Sequence, residues 1–192
     1  MSSARRPQWL LDAERVDHAV YAAVAATPTP SLDRRMSALS HAADRSALWI
    51  AAAAAMAVTR GSRGRCAAGA GLASIAATSS VVNLVAKPLA RRRRPDRVAH
   101  AVPLARHVSM PTSRSLPSGH AASAFAFATG AGHILPREGE ALAVLAALVA
   151  YSRVHTGVHF PADVVVGALM GTACARSATR AIDRRRARGP AR

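Results

Sequence analysis

The sequence predicts an all-α protein, a polytopic helical bundle in a membrane with about five to six helices. Three observations support this fold class. Of the 192 residues, 51% are hydrophobic but only 4% are aromatic, so alanine and valine carry the apolar content. The apolar residues form uncharged runs that short polar segments separate. The formal net charge of +16 is concentrated between those runs and at the C-terminal end, as in membrane proteins with basic loops.

The first 45 residues differ from the rest of the chain. Residues 7–27 predict a helix, with apolar side chains at helical spacing, and the stretch Thr27-Pro28-Thr29-Pro30 ends it. Several charged residues lie in its first half, and residues 31–45 are polar and amphipathic. We therefore expect residues 1–45 to form an amphipathic, interfacial segment rather than a membrane span.

Five apolar runs follow and predict the helices of the bundle: 46–59, 66–86, 118–135, 141–152 and 161–175. The run 66–86 is the best candidate for a span, since it has 21 residues without a charge. Tight turns are predicted at Gly61–Arg65 and Pro136–Glu140, and a long basic loop at 88–117. We expect the main domain to cover residues 46–180, followed by a basic C-terminal tail at 181–192.

If the five helices alternate in direction, four of their ends lie on one side of the bundle. These are the end of 66–86, the start of 118–135, the end of 141–152 and the start of 161–175. Polar residues that could bind a ligand or take part in catalysis occur at all four ends. The alternation therefore predicts one site assembled from three sequence blocks.

The first block, KPLARRRRP, contains Lys87, which is the only lysine of the chain, and Arg94. An ammonium group and a planar guanidinium both suit phosphate oxygens. Pro95 follows Arg94 and favours an extended backbone there. We assign Arg91, Arg92 and Arg93 to contacts with lipid head groups.

The second block, LPSGHA, predicts a helix start with Ser118 as N-cap. Gly119 lets the backbone approach an anion closely, and the N–H groups of a helix start bind anions. His120 lies beside that anion site and titrates near neutral pH. It is therefore a candidate to protonate a leaving alkoxide.

The third block, SRVHTGVHFPAD, contains Arg153, His159 and Asp163. Asp163 lies one helical turn after His159, so its carboxylate can accept a hydrogen bond from the ring and leave the other nitrogen free to attack phosphorus. His155 is a rival nucleophile, but no carboxylate follows it one turn later. No carboxylate cluster is present to hold a metal, so we expect neither a metal nor a cofactor.

Together the blocks resemble the signature of the type 2 phosphatidic acid phosphatase superfamily. That signature is lysine, six residues, Arg-Pro; then Pro-Ser-Gly-His; then Ser-Arg, five residues, His, three residues, Asp, and all three parts match here. The resemblance implies the helical bundle of this superfamily and of the haloperoxidases, and a metal-independent phosphomonoesterase. It implies that His159 is the nucleophile, Asp163 its orienting partner and His120 the general acid. The residues it implies for phosphate binding are Lys87, Arg94, Ser118, Gly119 and Arg153.

The chain looks most similar to the phosphatase portion of actinobacterial proteins that fuse this domain to a lipid kinase. The function we predict is a multi-pass cell-membrane lipid phosphatase that acts through a phosphohistidine, with its site on the extracytoplasmic face. Polyprenyl phosphate or pyrophosphate and phosphatidate-like lipids are all candidate substrates, and no nucleic-acid partner is expected. Two alternatives stay open: a soluble-type acid phosphatase or vanadate-dependent haloperoxidase on the same fold, and a non-catalytic basic membrane protein that binds anionic lipid.

Overall fold

The computed structural model of the protein covers residues 7–188, and all regular secondary structure within that range is helical. Its seven helices are α1 (Gln8–Ala26), α2 (Pro30–Ala42), α3 (Ala47–Thr59), α4 (Gly61–Leu89), α5 (Gly119–Gly132), α6 (Pro136–His155) and α7 (Pro161–Arg188). Helices α3 to α7 correspond to the five apolar runs, and the all-α fold class is confirmed. The last four residues of the predicted basic tail, 189–192, lie outside the described residues.

Both predicted tight turns are misplaced, because the helices begin earlier than the apolar runs do. Helix α4 starts at Gly61, whose φ of +58° lets the chain reverse directly after Arg60. Helix α6 starts at Pro136, a residue that suits the first helical position. Polar residues thus continue the helices beyond their apolar centres, and α7 likewise extends past residue 175 to Arg188.

Helix α5 lies at the centre of the bundle and packs against α4, α6 and α7. Small residues allow a close approach between α5 and α7. A Cβ atom at Gly167 or Gly171 would overlap the carbonyl oxygens of Ser118 and Ala122, respectively. The two helices therefore start side by side, and the amide N–H of Ser118 donates to the backbone oxygen of Asp163 at 2.9 Å. This packing places the second block next to the third.

Helix α4 changes its winding near its end. Residues Val82–Ala86 form a π-helical turn immediately before Lys87 and Pro88. Pro88 has no N–H to donate to residue 84, so the regular hydrogen-bond ladder cannot continue through it. Within the described residues, α4 is the one helix that is long and apolar enough to cross a membrane by length and composition.

Helices α1 and α2 pack on the end of the bundle where the three blocks meet. Tyr21 of α1 is buried against Phe160, with ring centroids 5.1 Å apart. Asp33 of α2 accepts a hydrogen bond from the fully buried Arg106 at 2.8 Å. Arg106 belongs to the basic loop between α4 and α5, so this ion pair attaches the N-terminal helices to that loop.

Candidate active site

The structure brings the three blocks together at one end of the bundle, as helix alternation predicts. The end of α4 meets the start of α5, because a Cβ on Gly119 would lie 3.7 Å from Lys87 Nζ. The end of α6 and the start of α7 join through a short segment that carries His159. Arg94 of the loop reaches this segment through a contact with His159. Residues far apart in sequence thus surround one polar site.

His159 and Asp163 form a buried pair at the start of α7. His159 is 2% exposed and Asp163 is 0% exposed, and Nδ1 of the ring lies 3.4 Å from Oδ2 of the carboxylate. This distance is long for a hydrogen bond, as is often found in active sites without substrate. The four-residue spacing alone brings the two side chains together, as the sequence predicts.

Three further donors fix the carboxylate of Asp163. Ser115 Oγ and the amide N–H of Phe160 both donate to Oδ2, the latter at 3.0 Å. Arg92 Nη1 donates to Oδ1 at 2.9 Å. The buried charge of Asp163 is therefore well compensated, and its orientation toward the ring of His159 is set from several sides.

The assignment of Arg92 to a lipid head group is wrong. Besides Asp163, its guanidinium contacts the carboxylate of Asp17 on α1, and it lies 4.3 Å from the ring centroid of Phe160. Asp17 also accepts a hydrogen bond from the amide N–H of Ala162 at 2.8 Å. Sequence reasoning missed this role because no local spacing links Asp17 to either partner.

The other nitrogen of His159 faces a cation. Arg94 Nη1 lies 3.1 Å from His159 Nε2. A guanidinium can only donate, so Nε2 is the unprotonated acceptor and the ring proton is on Nδ1, toward Asp163. Burial lowers the pKa of His159 from 6.5 to about 4; the hydrogen bond with Asp163 opposes this, and the charge of Arg94 adds to it. Nε2 of His159 is thus unprotonated at neutral pH, with its lone pair directed at Arg94.

Several cations and donors around this nitrogen are incompletely satisfied. Arg153 is 1% exposed and contacts Ser40 Oγ of α2, yet its Nε has no hydrogen-bond partner among the described residues. Lys87 Nζ donates to Ser113 Oγ over a long distance of 3.4 Å. The amide N–H groups of Gly119 and His120, in the first turn of α5, have no acceptor within their own helix. An anion with several oxygens would satisfy these donors together.

Arg97 adds a cation that the three blocks do not include. Its Nη1 donates to the carbonyl oxygen of Val108 at 2.9 Å. Its buried Nε and Nη2 have no partner within residues 7–188. Burial lowers the pKa of Arg97 from its usual value. Arg97 therefore increases the positive potential at this end of the bundle.

The second block adopts the predicted helix start. Ser118 is the N-cap of α5, and its Oγ accepts from the amide N–H of Ala121 at 3.5 Å. His120 follows in the first turn, and its Nε2 lies 2.9 Å from Oδ1 of Asp44. Asp44 belongs to the connection between α2 and α3. The site therefore contains two histidine–carboxylate pairs, of which the sequence predicted one.

The rival histidine, His155, has a different environment. It is 2% exposed, and its Nε2 lies 2.9 Å from Asp33 Oδ1, which Arg106 also contacts. His155 thus belongs to the ion cluster that joins α2, α6 and the basic loop. Within residues 7–188, no group of three or more His, Cys, Asp or Glu side chains could hold a metal ion.

The geometry suits phosphoryl transfer. A neutral imidazole with an unprotonated nitrogen, a second histidine and several cationic side chains with unsatisfied hydrogen-bond donors surround one position. Residues 68–187 match the family model described as the PAP2 superfamily. The chain belongs to the PAP2 superfamily. This is the type 2 phosphatidic acid phosphatase superfamily whose motifs the sequence resembles, so that prediction is confirmed. The resemblance to lipid-kinase fusion proteins stays a prediction.

Two relatives align over most of the chain, and a third aligns over about a third of it. Decaprenylphosphoryl-5-phosphoribose phosphatase of Mycolicibacterium smegmatis is 36% identical over 160 residues, which are 81% of this chain and 83% of the relative. The protein of the same name from Mycobacterium tuberculosis is 34% identical over 168 residues, covering 83% and 88%. An undecaprenyl-diphosphatase of Sulfolobus acidocaldarius is 44% identical over 66 residues, or 32% of this chain and 31% of the relative. The chain is a phosphatase of the PAP2 superfamily.

Two solved structures share the PAP2 fold. The phosphatidylglycerolphosphate phosphatase of Bacillus subtilis aligns with a TM-score of 0.68 and 24% identity, covering 95% of this chain and 90% of that one. LpxE of Aquifex aeolicus aligns with a TM-score of 0.67 and 24% identity, covering 86% and 95%. These likenesses confirm the helical bundle.

Proposed function

We propose that the protein is an integral membrane phosphatase that hydrolyses a phosphate monoester on a polyprenyl-linked lipid. The single observation that carries this proposal is the geometry of His159. Its Nε2 is an unprotonated acceptor next to Arg94, and its Nδ1 faces the buried carboxylate of Asp163. The names of the relatives support the polyprenyl part, because three of them refer to decaprenyl or undecaprenyl compounds.

The first chemical step forms a bond between His159 Nε2 and phosphorus and breaks the bond between phosphorus and the oxygen of the leaving alcohol. His120 gives its proton to that oxygen, so the alcohol leaves neutral. Asp163 accepts the hydrogen bond of the Nδ1 proton and stabilises the charge that develops on the ring of His159. Asp44 holds the ring of His120 in place through the contact between its Oδ1 and His120 Nε2, at 2.9 Å.

The second step hydrolyses the phosphohistidine. His120, now neutral, takes a proton from a water molecule while that water attacks phosphorus. The bond between nitrogen and phosphorus breaks, and the lone pair returns to Nε2 of His159. Lys87, Arg94, Arg153 and the amide N–H groups of Gly119 and His120, which follow the N-cap Ser118, hold the phosphate oxygens in both steps. This cycle uses protein groups alone, and we therefore propose that it requires no metal.

The outer surface of the bundle supports a multi-pass location in the cell membrane. Helices α3, α4, α6 and α7 each carry exposed large apolar residues, such as Ile50, Leu72, Val144 and Leu169, which are 37–65% exposed. Lipid would cover such a surface. Arg60, Arg63 and Arg137 lie together at the end of the bundle opposite to the site. Basic residues favour the cytoplasmic side, so we place the site outside the cytoplasm.

Two arginines of the basic loop do not oppose this orientation. Arg92 is paired with Asp17 and Asp163, and Arg94 donates to the backbone oxygens of Ser113 and Val158. These arginines are therefore held by the protein and do not act as free positive charges for topology.

Phosphate release from purified full-length protein, with a chelator present, tests the proposal. The substrate panel consists of a polyprenyl phosphate, a polyprenyl pyrophosphate, a polyprenyl-phosphoryl sugar phosphate and phosphatidate, each in mixed micelles. We expect turnover of polyprenyl substrates in the presence of the chelator. Turnover of phosphatidate alone would contradict the substrate class, and loss of all activity with the chelator would contradict metal independence.

A further inference from the structure

A cavity of about 180 Å³ adjoins the proposed phosphate site on the side of His120. Lys87, Gly119 and His120 form one part of its wall. The rest comes from the connection between α2 and α3, the last turns of α4 and the start of α5. We call this cavity the side pocket. Because His120 is the proposed proton donor to the leaving oxygen, a cavity beside it lies where the released alcohol would be.

The rest of the wall of the side pocket is rich in hydrogen-bonding side chains: Arg45, Ser46, Ser79, Asn83 and Ser123. Among the described residues, none of these five side chains has a hydrogen-bond or ion-pair partner. Two other serines of α4 behave differently. Ser74 and Ser80 donate to the carbonyl oxygens of Ala70 and Ala76 in their own helix, at 2.8 and 3.0 Å. Ser79, between them, leaves its hydroxyl available to the pocket.

The backbone around the side pocket is also unusual. Arg45 and Ser46 are consecutive non-glycine residues with positive φ, 51° and 62°. Such residues are energetically unfavourable and concentrate at functional sites. On the opposite wall, Val82 and Asn83 belong to the π-helical turn of α4, another feature that is frequent at functional sites. Two independent departures from regular geometry therefore shape one cavity.

We infer that the side pocket binds the alcohol part of the substrate, and that this part is a polyhydroxyl group such as a sugar. The inference rests on the proposed function and specifies the chemistry of the alcohol that is esterified to the phosphate. A hydrocarbon in the side pocket would remove five polar side chains from water without giving them partners, which is unfavourable. Several hydroxyl groups would instead donate to and accept from the same side chains. The polyprenyl chain then lies outside the side pocket.

The test compares two water-soluble monoesters with full-length protein in detergent: D-ribose 5-phosphate, which has several hydroxyl groups, and n-butyl phosphate, which has none. The quantity measured is the ratio of kcat/KM for the first substrate to that for the second. We expect the native protein to prefer ribose 5-phosphate. Asn83→Leu and Ser79→Ala are each expected to lower the ratio, by about tenfold and about threefold, because each removes a partner of the hydroxyl groups.

Ser80→Ala is the matched control, since Ser80 is adjacent on the same helix and bonds to its own backbone; its ratio is expected to stay within about twofold of the native value. A native ratio near one, or a ratio that neither variant lowers, would overturn the side-pocket inference while hydrolysis of both esters upheld the phosphatase. Absence of hydrolysis for both esters and for the polyprenyl panel would overturn the proposed function instead. If Asn83→Leu does not fold, the milder Ser79→Ala carries the comparison.

Discussion

The two histidine–carboxylate pairs of the site differ in how they are built. His159 is 2% exposed, and its partner lies four residues later, in the first turn of α7, and receives three further hydrogen bonds. The side chain of His120 is 21% exposed, and its partner Asp44 comes from 76 residues earlier and is 42% exposed. A nucleophile must be held in one orientation, whereas a proton donor must also admit the leaving group and water. The difference therefore matches the two proposed roles.

The largest expected effect is the loss of the buried pair. We expect His159→Ala to lower phosphate release by at least about a thousandfold, because no other group supplies the attacking lone pair. The measurement is turnover, together with trapping of a phosphoenzyme from ³²P-labelled substrate by an alkaline denaturing quench, because the nitrogen–phosphorus bond of phosphohistidine is stable to alkali and labile to acid. His155→Gln serves as control and is expected to keep the trapped phosphoenzyme. A phosphoenzyme in His159→Ala that disappears in the His155 variant would move the nucleophile to His155.

The exposed pair should show dependence on the leaving group. We expect His120→Ala to lower kcat/KM for an alkyl phosphate by about a hundredfold, a typical effect of losing a general acid. The loss should be under about tenfold for p-nitrophenyl phosphate, because nitrophenolate leaves without a proton. Equal losses for both substrates would show that His120 binds phosphate and does not donate a proton to the leaving oxygen.

The pH dependence of His159 tests its burial. Because burial lowers the pKa of this histidine to about 4, the ring stays neutral at pH 5 to 7 and becomes protonated as the pH falls through about 4. The unfolded chain, with a pKa near 6.5, takes up the proton first, so folding stability decreases as the pH falls from about 6.5 to about 4. Histidine ¹⁵N chemical shifts, assigned with His159→Ala, report this titration. A midpoint near 6.5 would show that the ring is exposed to water.

The smallest expected effect concerns Asp44, the carboxylate of the exposed pair. We expect Asp44→Asn to lower kcat by up to about fivefold, since an exposed ion pair contributes about 0–1 kcal/mol. The matched change Asp163→Asn should lower kcat about a hundredfold, because Asp163 is fully buried and is both the carboxylate partner of His159 and one of the two carboxylates that Arg92 contacts. Both variants should be compared at equal folded fraction by thermal denaturation. Similar losses would mean that the exposed and the buried pair do not differ in importance.

Local sequence patterns predicted much of this protein. The uncharged apolar runs marked α3 to α7, although the helix starts at Gly61 and Pro136 were missed because polar residues continue a helix as readily as apolar ones. Spacing predicted that Asp163 lies beside His159, and residue type predicted Ser118 as an N-cap. Each of these depends on interactions within about one helical turn, which the order of residues determines directly.

The tertiary structure alone decided how residues 1–45 relate to the site. Asp17, Ser40 and Asp44 of this segment contact Arg92, Arg153 and His120, respectively. No periodicity connects residues that are 75, 113 and 76 positions apart. Such contacts exist only because α1 and α2 pack over the end of the bundle where the motifs meet. The sequence by itself determined the chemical groups and the local pair of His159 and Asp163. Packing between distant helices determined which partners His120, Arg92 and Arg153 receive.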